Sequence, residues 1–108
     1  MSISVIEKIK NAAKLDNIVF KKHALTRMLE RNILSSDVRG ILDSFIVIEE
    51  YSNDQPFPSF LILGYENDRP LHAVVSFDSE YNTIFVITLY EPSIELWEND
   101  FKTRRKML

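Results

Sequence analysis

The chain contains no cysteine, so it has neither a disulfide framework nor a thiolate metal site, and a reducing interior such as the cytoplasm is the simple expectation. No apolar run approaches the ~18 residues that cross a bilayer. The N-terminal stretch MSISVIEKIKNAAK also lacks the apolar core of a secretory leader. A soluble cytoplasmic protein, not exported and not held in a membrane, is the expectation. Histidine is scarce too. His23 and His72 are the only two, no HExxH pattern occurs, and no carboxylates cluster at ligand spacing. Neither a metal nor any other cofactor is expected.

What is present is a chain of 108 residues with 45% apolar content. That is enough for one domain, residues 1–108, burying about 65% of its unfolded surface, with no room for a second. Net charge is −3, but the charges are segregated. Residues 21–31 carry four Lys or Arg against Glu30 alone, and residues 101–106 carry four against none, so these windows hold +7 and the remainder −10. If the two windows meet in the fold, they make a basic surface on an acidic body.

The stretch Phe20 to Asn32, FKKHALTRMLERN, organises the chain. As a helix from about Lys22 to Arg31 it sets His23, Arg27 and Arg31 one turn apart along one stripe, with Ala24, Leu25, Met28 and Leu29 on the other face. Arg27 and Arg31 repel at this spacing, which Glu30 partly relieves. Lys21 and Lys22 stand where a capping Ser, Thr, Asp or Asn would accept the free first-turn N–H groups, so an anion would satisfy helix start and arginines alike. A plain solvated helix face is the competing reading.

The other elements follow from periodicity. Ser4 and Glu7 form a capping box for a first helix, Val5 to Leu15, which buries Val5, Ile9, Ala12 and Ala13. Ile18 to Phe20 reads as a short extended link. Asn32 closes the second helix in a left-handed conformation. Ser35 or Ser36 caps a third helix, Asp37 to Ser44, with Val38, Ile41 and Leu42 inward. From Phe45 the period changes to two. Strands are expected over 45–51, 59–66, 70–78 and 83–90, joined by the proline loop Asn53–Pro58, the Asn67-Asp68 turn and a turn at 79–82. Sequential hairpins make an antiparallel meander, and helices before sheet mean α+β: N-terminal helices packed on a four-stranded twisted antiparallel sheet. After Pro92 a helical turn or two, capped by Ser93, would dock Ile94, Leu96, Trp97 and Phe101 on the sheet and leave a short basic end.

Arginines, lysines, two histidines and tyrosines are what metal-free RNA cleavage needs. A proton leaves a 2′-hydroxyl, a phosphorane with extra negative charge is stabilised, and the 5′-oxygen gains a proton. Histidine serves either proton transfer, tyrosine serves as acid or hydrogen-bond donor, and arginine grips phosphate through two N–H groups. His72 also reads simply as a sheet-face residue. An even loop between the last two strands sets Leu71 opposite Tyr90, whereas an odd one groups His72 with Thr88 and Tyr90.

HALTRMLERN (23–32), RPLH (69–72), ITLYEP (87–92) and the W-x3-F-K-x-R-R ending from Trp97 together resemble a small bacterial and archaeal domain family of unknown function whose members resemble RelE/ParE-like toxins. The resemblance covers roughly residues 20–106. It implies a RelE/ParE-like α+β fold, a toxin role in a type II toxin–antitoxin pair, and endoribonuclease activity on mRNA, free or ribosome-associated. The implied partners are RNA and a small antitoxin, often one with a CxxC zinc ribbon. The implied catalytic residues are His72, Tyr90 and His23, and the implied RNA-binding residues Arg27, Arg31, Lys102, Arg104 and Arg105. Lys21-Lys22 departs from the small hydroxyl residue expected before His23. The alternative function is a non-catalytic module, or an inactive toxin relic, that uses the basic stripe to dock an acidic partner.

Overall fold

The computed structural model describes residues 4–106. Its elements run α1 (Val5–Lys14), β1 (Ile18–Phe20), α2 (Lys22–Arg31), α3 (Ser35–Asp43), β2 (Phe45–Tyr51), β3 (Ser59–Glu66), β4 (Arg69–Asp78) and β5 (Thr83–Tyr90). The α+β class stands, but the sheet has five strands in the order β1-β5-β4-β3-β2 and is mixed. The expected link Ile18–Phe20 is a strand that pairs parallel with β5, Val19 opposite Phe85. Only β2 to β5 form the expected antiparallel meander. Three residues are too few for a period-two signal, so this strand was invisible to patterning.

All three helices pack on one sheet face over Phe60, Ile62, Leu71, Ala73, Val75, Phe77, Ile84, Val86 and Leu89. Ser4 caps α1, accepting the Glu7 N–H at 3.2 Å. α3 starts two residues earlier than expected, and neither serine caps it. Instead the Asp37 carboxylate accepts the Leu34 N–H at 2.8 Å. On β3, Gly64 lies under α3, where an added Cβ would stand 2.4 Å from Ile41 Cβ. Only glycine permits that approach.

α2 is rotated relative to expectation. Ala24 and Met28 are buried, but Leu25 is 48% and Leu29 87% exposed. At 100° per residue the buried centre falls between Ala24 and Met28 and leans toward Arg31 rather than toward the leucines. The sheet edge supplies the reason. β1 stops at Phe20, which leaves the Leu89 carbonyl of β5 without a strand neighbour, and Arg31 Nη1 donates to it at 2.9 Å. Asn32 closes α2 in the left-handed conformation expected, φ 54°. The final stretch makes one turn at Ser93, whose hydroxyl accepts the Glu95 N–H, not a helix; Trp97 docks on the sheet, while Ile94 and Leu96 stay exposed. No helix among the described residues is long and apolar enough to cross a membrane.

Candidate functional site

The sheet face opposite the helices carries the polar cluster, and two β-bulges put it there. The turn at 79–82 is even, and up to Val75 opposite Val86 the β4–β5 register would set Leu71 against Tyr90. Ile87 is then an extra residue. Val74 pairs with Thr88 beyond it, and His72 comes directly opposite Tyr90. β2 repeats the device. Phe45 and Val47 face the helices, so simple alternation would send Glu49 into the core; the irregularity at Ile48 pairs Glu49 with Leu61 and Tyr51 with Ser59 instead. Glu49 and Tyr51 thereby join His72 and Tyr90 on the far face.

His72 is fully buried and both ring nitrogens are engaged. Tyr90 OH lies 3.1 Å from Nδ1, and the Phe101 carbonyl 2.5 Å from Nε2. A carbonyl only accepts, so Nε2 carries the hydrogen and Nδ1 accepts from the Tyr90 hydroxyl. Burial pushes the His72 pKa below its ordinary value, against the pull of the Phe101 carbonyl, and burial likewise raises that of Tyr90. The pair therefore rests as neutral imidazole and neutral phenol. Tyr90, only partly buried, is the member that reaches the surface.

The C-terminal segment closes over this pair. The Trp97 ring, 2% exposed, meets the His72 ring edge-on with centroids 4.5 Å apart. The Arg104 guanidinium sits 4.6 Å above the Trp97 ring and grips Glu49 through Nε and Nη2, both at 3.1 Å. That grip lowers the Glu49 pKa and raises that of Arg104, and Tyr51 OH donates to the same carboxylate and has its own pKa raised by it. Phe101, whose carbonyl holds His72, has φ 58°. A left-handed backbone costs a non-glycine residue roughly 1–2 kcal/mol.

The remaining candidates lie elsewhere. On α2, Arg27 Nη1 pairs with Glu30 at 2.9 Å and its Nε approaches His23 Nε2 at 3.3 Å. Arg105 pairs with Glu98 at 3.0 Å and donates to the Ile94 carbonyl. Lys102 is exposed in the loop that Asp100 ties down through the Lys102 and Thr103 N–H groups. Arg69 donates to the Arg31 and Asn32 carbonyls and to Glu91, holding the end of α2 against β5. The two basic windows are not one surface. Arg31 is fixed to β5 and Arg104 to β2, with β4 and β3 between them. Histidine and tyrosine are thus brought together with Arg104 nearby, while His23, Arg27 and Arg31 form a separate row.

Glu49, Tyr51 and Trp97 are the members that sequence reasoning did not place in the site. A signal for the first was available, because the helix-facing series Phe45, Val47 ends on a carboxylate that a core face cannot hold. Neither a curated protein nor a solved structure matches the chain. A family model does, over residues 20–91, from the strand before α2 to the end of β5; these residues include His23, Arg27, Arg31, His72 and Tyr90 but not the segment that covers them. The matched stretch is well over half of the chain, which therefore belongs to the family described as Domain of unknown function (DUF4258).

Proposed function

We propose that this domain is the toxin-like half of a toxin–antitoxin pair and cuts RNA without a metal, by a proton relay through Tyr90 to His72. The observation that carries this reading is the 3.1 Å contact between Tyr90 OH and the unprotonated Nδ1 of a buried His72. In the relay the RNA 2′-hydroxyl gives its proton to Tyr90 oxygen as Tyr90 passes its own to Nδ1. The 2′-oxygen bonds to phosphorus, the bond to the 5′-oxygen breaks, and that oxygen takes a proton from solvent. The products are a 2′,3′-cyclic phosphate and a 5′-hydroxyl. The imidazolium formed is held by the Phe101 carbonyl, while the Arg104 charge opposes it and Glu49 offsets part of that charge. Arg104, with Lys102 and Arg105 on the same segment, approaches the phosphate from one side, and the α2 row of His23, Arg27 and Arg31 binds the chain further along. RelE/ParE-like architecture, a CxxC antitoxin and action at the ribosome extend the same reading.

Inducible expression in a bacterial host, with and without the neighbouring gene, tests it. Growth arrest with RNA breakage, relieved by the neighbour and lost in Tyr90→Phe, is the expected result; normal growth with intact RNA contradicts it. The exposure of Leu29 and Leu25 on α2 favours a second reading, a non-catalytic module that binds a protein partner. In that case Leu29→Asp abolishes partner capture while Tyr90→Phe changes nothing.

A further inference from the structure

α2 begins without a side-chain cap. Its N-cap residue is Lys21, and the Lys22, His23 and Ala24 N–H groups precede the first intrahelical bond, Leu25 N–H to the Lys21 carbonyl. The same Lys21 lines a cleft of about 120 Å³ on the sheet face that carries His72. The Lys21 backbone N–H is bonded to the Val86 carbonyl, which fixes the helix start beside β5. Its ammonium lies 4.9 Å above the Phe85 ring, and none of the ion pairs among the described residues uses it.

The rest of the cleft is aromatic and polar. Phe57, from the loop before β3, stacks parallel on Phe85 with centroids 5.6 Å apart. Ser59, Ser76 and Phe85 stand in register across β3, β4 and β5. Ser76 is 7% exposed, and what surface it keeps opens to this cleft, with Gln55 on the rim. Cation, aromatic wall, carboxamide and buried hydroxyl are here within one small space, with the start of α2 at its edge. Phosphate fits the cation, and a heteroaromatic base with donors and acceptors on its edge fits the others.

We propose that this cleft is a nucleotide subsite. The phosphate lies at the start of α2 against Lys21, and the base lies against Phe57 and Phe85 with its polar edge toward Gln55 and Ser76. The role of the subsite rests on the ribonuclease reading. Ser76 and His72 share one face of β4 four residues apart, about 13 Å at ~3.3 Å per residue, so a strand anchored here passes Tyr90 a few nucleotides further on. The cleft would then select a base a few nucleotides away from the cut.

Titration of the full chain with the four ribonucleoside 5′-monophosphates, the matching nucleosides and inorganic phosphate, read by amide chemical shifts, tests the site without any cleavage. At least one monophosphate should produce saturable shifts at Lys21, Phe57, Ser76 and Phe85, and bind more tightly than its nucleoside or than phosphate alone. Lys21→Gln should weaken the monophosphate at least tenfold and spare the nucleoside. Phe57→Leu should weaken both. Shifts confined to the Arg27–Arg31 row, phosphate binding as tightly as every monophosphate, or no saturable shift would each overturn the subsite. A chain that binds nucleotide here yet leaves RNA intact removes the ribonuclease reading and keeps the site.

Discussion

His72 has no free nitrogen and no exposed surface, which changes the part a histidine can play. In the proposed relay it is therefore Tyr90 that touches the substrate, with His72 behind it as proton acceptor. The depressed pKa also has a consequence for stability, because the folded chain takes up a proton at His72 less readily than the unfolded chain does at its ordinary 6.5. Stability is then intact above pH 6.5 and falls as the pH drops from there through the lower folded-state value. Denaturant midpoints should decline between about pH 6.5 and 5, before most carboxylates titrate. His72→Phe should flatten that decline although it lowers stability overall, and an unchanged slope in this variant would show that His72 is not its source. The residues themselves were legible in the sequence. Their pairing was not, since it turned on the single extra residue Ile87 and alternation says nothing about where a bulge falls.

At the scale of elements, periodicity found the helices and the four long strands, because each buries one face and repeats its pattern over at least two turns or three pairs. It missed β1, which is too short to repeat, and it turned α2 the wrong way. An amphipathic count assigns leucines inward, whereas the edge carbonyl of Leu89 draws Arg31 toward the sheet and swings Leu25 and Leu29 out. The consequence is measurable. Met28→Asp should cost several kcal/mol by placing an unpaired charge against the core, whereas Leu29→Asp should change stability by no more than about 0.5 kcal/mol. Equal thermal shifts for the two would return α2 to its expected orientation.

Across the whole molecule, the two basic windows reach different strands of the sheet, so they form two patches and not one anion site. Their side chains are also engaged by protein partners, Arg27 by Glu30 and Arg104 by Glu49. Any RNA has to compete with these exposed pairs, which are individually weak. Arg27→Gln and Arg104→Gln should each lower the salt slope of RNA affinity by roughly 0.7, and the double variant should show the sum, because the sites share no partner. Effects that fail to add would mean that a single phosphate bridges both windows. Charge segregation and the meander were visible in the sequence, but the distance between the windows depended on which strand each one meets, Arg31 at β5 and Arg104 at β2, and no pattern in the chain encodes those contacts.

The Tyr90–His72 relay is tested most directly by the rate at which the purified chain and its Tyr90→Phe variant cut a defined single-stranded RNA in chelator. The relay predicts 2′,3′-cyclic phosphate ends, a rate that rises with pH through a His72 pKa below 6.5, and a loss of about 10² to 10⁴ in Tyr90→Phe, which stays folded and loses only the roughly 1–3 kcal/mol of one hydrogen bond to a buried nitrogen. RNA left whole by the parent chain, or cut by Tyr90→Phe at the parent rate, would contradict it.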